Sequence, residues 1–347
     1  MKKHILLGQL SSQAWAMHPD HLANLSNVLH RWAAGDSASD DAMIDVRAAQ
    51  TARAIRKSTN TNAGNIAVLN LWGVMSQKAN LVQEASGGGG TSTQAFMAAF
   101  RDAMADPSVA AILIDCDSPG GSVTGTPELA AEVLAARGKK PVYAFVNGLA
   151  ASACYWVAAS CEAIYSTPSG SAGSIGVYTA HTDASEAMKK AGLSQEFISA
   201  GKYKTEGSAN GPLKPEARAF IQSQIDSFYS AFTSDVARGR GVAATAVRNG
   251  YGQGRCLLAD EALKAGLIDG VCSFEQVVAK LSARVKGGAG TTANSNGKSA
   301  AGTSITTRAN ARYRELELAG AAGKTATFDA ARVAAARRQR EIELAAL

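Results

Sequence analysis

From residue 63 to residue 285 the apolar positions fall into short continuous runs separated by turn signals and by longer helical repeats. Ile66–Met75, Ala110–Asp117, Pro141–Gly148 and Ala163–Ser166 read as strands, and Gln195–Ser199 reads as a further strand. The run Ala110–Asp117 has almost no polar interruption, the pattern of a strand covered on both faces of a parallel sheet. Between the strands, Ser92–Ala105, Pro127–Arg137, Ala151–Ser160 and Lys214–Gly239 carry helical periodicity. Alternation of strand and helix predicts an α/β fold with a parallel sheet and crossover helices. Gly87–Gly90 and the Gly/Ser-rich stretch Pro168–Gly176 are predicted loops.

The flanks differ from this body. Residues 1–62 are rich in Ala, Asp and Ser and are expected to form a helical leader with loops. Residues 286–347 open with GGAGTTANSNGKSAAGTS, a flexible linker composition, and continue into a helix-prone Ala/Arg/Glu tail. The first residues resemble a secretion signal in having two lysines, a short apolar run and the ending Ala14-Trp15-Ala16. Gly8 and Gln9 interrupt the apolar run at once, so no signal segment is expected. No stretch approaches the ~18 apolar residues of a membrane span. Five scattered cysteines, with no C-x-x-C pair, predict neither a zinc site nor a disulfide framework. A cytoplasmic protein without stable membrane association follows as the expectation.

Charge narrows the partners. Of the net charge of +6, +5 lies in residues 286–347 (10 basic, 5 acidic), and residues 61–285 carry −1 (18 basic, 19 acidic). A near-neutral body argues against a nucleic-acid-binding surface; only the tail would attract polyanions.

Three segments hold candidate chemistry. Asp117-Ser118-Pro119-Gly120-Gly121 follows a buried strand; its glycines let backbone approach a ligand, and its N–H groups can serve an oxyanion. It also reads as an ordinary strand–helix turn. Ser152, among small residues at a helix start, reads either as a helix cap or as a nucleophile. A nucleophilic serine needs a base. His181 is the body's one histidine, and Lys204 follows the predicted strand at Gln195–Ser199. A lysine serves as base where burial disfavours its charge; otherwise it is a solvated surface residue.

Taken together, residues 63–285 resemble the signal peptide peptidase A family of serine peptidases. The resemblance rests on Asp117–Gly121, on Ala151-Ser152-Ala153-Cys154-Tyr155, on Gly173-Ser174-Ile175-Gly176-Val177, on Gly201-Lys202-Tyr203-Lys204 and on Ala259–Asp269. It implies a Clp protease/crotonase-like fold, with Ser152 as nucleophile, Lys204 as base, and the N–H groups of Gly121 and Ala153 as oxyanion donors. Gly120, Lys202 and His181 are secondary candidates. One departure stands out: Ala153-Cys154 replaces the family's usual Gly-Gly. No cofactor and no metal are implied. The partners implied are peptide or protein substrates and further copies of the chain. The leader, glycine run and tail resemble phage head-maturation members of the lambda protein C type, whose partners are scaffold, portal and capsid proteins. The last methionine is Met188, so no separate scaffold product can start from an internal AUG codon in the tail. Competing readings are a Ser152/His181 protease, a crotonase-like acyl-CoA enzyme, a bacterial signal-peptide-degrading peptidase and an inactive assembly protein.

Overall fold

The computed structural model describes residues 14–17, 59–61, 64–78 and 90–289. The glycine run before Gly90, most of the leader and the tail lie outside the described residues. Two strands, β1 (Trp15–Met17) and β2 (Thr59–Thr61), fall within the stretch expected to be helix and loop. The body then runs β3 (Gly64–Trp72), β4 (Met75–Ser76), β5 (Thr91–Ser92), α1 (Thr93–Ala105), β6 (Val109–Ser118), β7 (Gly120–Ser122) and α2 (Thr126–Ala135). It continues with β8 (Val142–Ala151), α3 (Ala153–Ala158), β9 (Ala163–Ser166), β10 (Ser171–Gly173), α4 (Ser185–Lys190) and α5 (Pro215–Arg240). Last come α6 (Ala244–Gly250), β11 (Cys256–Leu258), α7 (Ala259–Ala265), β12 (Gly270–Val271) and α8 (Phe274–Ala289).

The main sheet has the order β11-β10-β8-β6-β3-β2, with β9 on β8 and β12 on β9. Its central strands β3, β6, β8 and β9 are parallel, as the alternation of strand and helix requires. Side chains alternate between two buried faces. Ile112, Ile114, Val142, Ala144 and Val146 join the cluster that includes Phe96 and Phe100 of α1, Leu129 of α2, and α3. Ile66, Ala111, Leu113, Tyr143 and Phe145 pack against Val277 and Leu281 of α8. Burial on both faces explains why the β6 and β8 sequences are apolar without alternation.

Strand β8 forks, and the fork sets the site. Tyr143–Val146 pair with β9, while Leu149–Ala151 pair with β10. The sheet opens at the point where the chain passes from Ala151 into α3. A second, four-stranded sheet, β1-β7-β4-β5, lies beside that opening.

Four expectations are corrected. Within the predicted turn Pro168–Gly176, Ser171–Gly173 form β10, parallel to β8 and antiparallel to β11. The strand expected over 66–75 ends at Trp72, because Gly73 turns at φ 63°, and Met75–Ser76 join the second sheet. Ala151 and Ser152 precede helix α3 instead of opening it. The stretch Gln195–Ser199 is not a strand. A strand needs an edge to complete its backbone hydrogen bonds, and none takes this segment: Ile198 is 100% exposed.

Candidate active site

Ser152 sits in the tight turn between β8 and α3 with φ 56° and ψ −117°. A β-carbon clashes in this region, so a residue other than glycine is strained there. The turn is held by its flanking bonds. The Ser152 N–H donates to the Gly173 carbonyl at 2.8 Å, and the Trp156 N–H donates to the Ser152 carbonyl at 2.9 Å. The Ser152 side chain makes no capping bond, so the cap reading fails on geometry. Its hydroxyl is directed at the Gly176 carbonyl, at 3.4 Å, and the residue is 1% exposed.

Helix α3 is fixed along its length. Tyr155 donates its hydroxyl to Leu267 O at 2.8 Å, and Trp156 donates Nε1–H to Asp235 Oδ2 at 2.9 Å. Trp156 also stacks on Phe232 of α5, with centroids 4.3 Å apart. At the C-terminal end, the half-buried Arg137 guanidinium donates to the carbonyls of Ser160 (2.9 Å), Ala159 (3.2 Å), Cys161 and Gly239 (2.7 Å). Burial lowers the Arg137 pKa, because the charged form gives up its hydration. These anchors leave the serine little freedom.

The Ser118–Gly121 segment forms the opposite wall. Ser118 Oγ donates to Gly73 O at 2.5 Å and accepts the Gly120 N–H at 3.1 Å. Gly120 has φ 95°, and an added Cβ would lie 2.9 Å from Ala151 O and 3.0 Å from Ala153 N. Only glycine lets this wall approach the start of α3 so closely. Ala153 is the first residue of α3, so its N–H has no acceptor within the helix. Gly121, the other predicted donor, lies in β7. A buried hydroxyl at a helix start, next to a first-turn N–H and faced by a glycine wall, is an arrangement suited to acyl transfer.

The candidate bases lie elsewhere. Lys204 is exposed in a turn whose backbone bond runs from its own N–H to Gly201 O at 3.1 Å. No hydrogen bond among the described residues joins Lys204 to Ser152. Lys202 donates to the Tyr203 hydroxyl at 2.6 Å, and that hydroxyl donates to Glu216 Oε1 at 2.6 Å. His181 Nε2 lies 3.1 Å from Gly211 O, and no hydrogen bond among the described residues joins it to the serine. The structure thus brings Gly120 against the start of α3 at Ser152 and Ala153, with Gly121 next in β7, and no candidate base is hydrogen-bonded to the serine among the described residues.

Two further residues border the site and escaped the sequence reading. Tyr178, two positions beyond Gly176, exchanges backbone hydrogen bonds with Trp15, and burial pushes its phenol up to about 12. Trp15 itself is buried. The available signal was Ala14-Trp15-Ala16, two small residues flanking a large one.

Residues 135–287 match the model of Peptidase family S49. Among individual relatives, the chain is 35% identical over 176 residues to a putative protease of Methanocaldococcus jannaschii, covering 51% of this chain and 56% of that protein. It is 31% identical over 204 residues to capsid assembly protease C of Escherichia phage lambda, covering 59% and 46%. It is 30% identical over 227 residues to head-tail preconnector protein GP5 of Enterobacteria phage P21, covering 64% and 44%. The chain therefore spans about half the length of these relatives.

Proposed function

We propose that the chain is a serine endopeptidase of the Clp protease/crotonase fold that acts in phage head assembly, in the host cytoplasm or the forming particle. The observation that carries this reading is the strained, buried Ser152 at the start of α3, facing the glycine wall. Strain at a single non-glycine residue persists where the surrounding structure enforces it, a frequent property of nucleophile turns. The likeness to a phage capsid assembly protease supports capsid proteins as substrates; scaffold and portal proteins and the chain itself are the further substrates of this reading.

In this mechanism Ser152 Oγ attacks the scissile carbonyl carbon while Lys204 takes its proton. The N–H groups of Gly121 and Ala153 hold the oxyanion. Lys204 returns the proton to the leaving amine, and water then hydrolyses the acyl ester. One such donor is worth ~3 kcal/mol of barrier lowering. A lysine works as a base where burial disfavours its charge, and Lys204 is exposed in the single chain. We therefore assign its burial to a second copy packing over the 193–204 segment.

The test is hydrolysis of purified capsid protein, followed by N-terminal sequencing of the products. Ser152→Ala and Lys204→Ala are expected to abolish cleavage, with His181→Ala retaining it. Cleavage that survives Ser152→Ala overturns the reading. Cleavage lost in His181→Ala and kept in Lys204→Ala replaces the base.

A further inference from the structure

Strand β1 plays no part in that scheme, yet it is buried, with Trp15, Ala16 and Met17 each no more than 1% exposed. It lies between two other pieces of backbone. On one side it runs antiparallel to β7, with Trp15 opposite Ser122, Ala16 opposite Gly121 and Met17 opposite Gly120. There the Val123 N–H donates to Ala14 O at 3.3 Å. On the other side the Trp15 N–H donates to Tyr178 O at 2.9 Å, and the Tyr178 N–H donates to Trp15 O at 3.0 Å. Both walls belong to the candidate site. Strand β7 carries Gly121, and Tyr178 follows the Gly176 carbonyl that faces the Ser152 hydroxyl.

The register decides which peptide group meets the proposed oxyanion donors. In an antiparallel ladder, hydrogen-bonded residue pairs alternate with non-bonded ones. Ala14 and Val123 form a pair of the bonded kind. Ala16 and Gly121, two residues along, are therefore also of the bonded kind, and the Gly121 N–H points to the Ala16 carbonyl. Ala153 approaches from the other direction: a Cβ added to Gly120 would lie 2.2 Å from Ala16 O and 3.0 Å from Ala153 N. The carbonyl oxygen of Ala16 thus lies on the Gly121 side of the corner between Gly120 and the start of α3, where the oxyanion of the proposed reaction would form. Strand alternation puts Ala14 and Ala16 on one face and Trp15 and Met17 on the other.

Clamping between two backbone edges is a way proteins hold an extended peptide. We infer that Ala14–Met17 is a tethered substrate and that the enzyme cuts its own Ala16–Met17 bond. This rests on the peptidase reading above and names a substrate for that same site. Ser152 Oγ adds to the carbonyl carbon of Ala16, and its proton passes to the base. The bond to the Met17 nitrogen breaks, that nitrogen takes the proton, and Ala16 is left as an ester on Ser152. Water hydrolyses the ester, giving the Ala16 carboxylate and restoring the hydroxyl. The new N-terminus is Met17, and departure of the Ala14–Ala16 strand opens the groove. Other substrates then enter as extended strands with small residues at the positions of Ala14 and Ala16.

Full-length wild-type chain and Ser152→Ala are incubated and followed by intact mass and N-terminal sequencing, with casein hydrolysis measured in parallel. Wild type is expected to yield a species beginning at Met17, and Ser152→Ala to slow its appearance at least ~10³-fold with unchanged circular dichroism. Should Ser152→Ala fail to fold, Ala16→Arg serves instead, with cutting after residue 16 expected to fall at least ~10²-fold. Wild type that hydrolyses casein but keeps its Ala16–Met17 bond overturns self-cleavage and leaves the peptidase reading standing. So does cutting after residue 16 that is unaffected by either substitution. Wild type that hydrolyses neither casein nor itself overturns both.

Discussion

The conformation of Ser152 can be separated from its hydroxyl. At φ 56° and ψ −117° a Cβ costs energy and a glycine does not. Ser152→Ala and Ser152→Gly both remove the hydroxyl, so both are expected to be inactive. Ser152→Gly is expected to be the more stable of the two by about 1 kcal/mol, measured by urea unfolding, since it alone relieves the strain. Equal stabilities would mean that the turn is relaxed in solution. The opposite effect is expected at Gly120, where φ is 95° and an alanine Cβ would press on backbone atoms of Ala16, Ala151 and Ala153. Those atoms cannot rotate away as a side-chain tip would. Gly120→Ala should cost about 1–3 kcal/mol and most of the peptidase activity, with the melting temperature and casein hydrolysis as readouts.

At the scale of elements, α3 depends on a residue remote from the chemistry. Arg137 ties the carbonyls that end α3 to Gly239 of α5, where an added Cβ would lie 2.1 Å from Ala159 O. Arg137→Met keeps most of the side-chain volume and removes every donor. The expected loss is about 2–4 kcal/mol in urea unfolding, because buried carbonyls lose a charged partner. An unchanged midpoint would show that water replaces the guanidinium. The elements that the sequence disclosed are those with long patterns. The apolar runs 110–117 and 163–166 fall within β6 and β9, 141–148 overlaps β8 from Val142 onward, and 92–105 and 214–239 map onto α1 and α5. The strands it concealed, β1, β2, β4, β5, β7, β10, β11 and β12, have two or three residues each, too few for periodicity to register. Of the site, the small residues around Ser152 marked a strand-to-helix junction, and it was the family resemblance that made Ser152 the candidate nucleophile. Its positive φ was not legible, because the constraint comes from Gly173, distant in sequence. Gln195–Ser199 misled for a related reason: its composition suits a strand, but pairing is decided by partners outside the segment.

For the whole molecule, the question is what covers the apolar surface around Lys204. Leu193, Phe197, Ile198, Tyr203 and Phe220 are all largely exposed, on the 193–203 segment and the N-terminal half of α5. Exposed apolar side chains gathered this way mark an interaction surface. A second copy on this surface would exclude water from Lys204 and supply an edge for Gln195–Ser199. In the arrangement proposed above, each lysine would then serve the serine of a neighbour. Mixing tests this directly. Ser152→Ala and Lys204→Ala, each inactive alone, are unfolded together and refolded at equal ratio. With serine and lysine drawn from adjacent copies at random, about a quarter of the sites hold both groups, so about a quarter of wild-type activity should return. If each site uses its own chain's lysine, no mixture regains activity. Ile198→Glu supplies the structural counterpart. It places a charge on a fully exposed residue, so the isolated chain should keep its fold, while a charge desolvated in an interface is costly. Light scattering should show a fall from oligomer to monomer, with hydrolysis lost in parallel. An Ile198→Glu protein that stays active as a monomer would place the base within the single chain and require the 193–204 segment to fold over Ser152 itself.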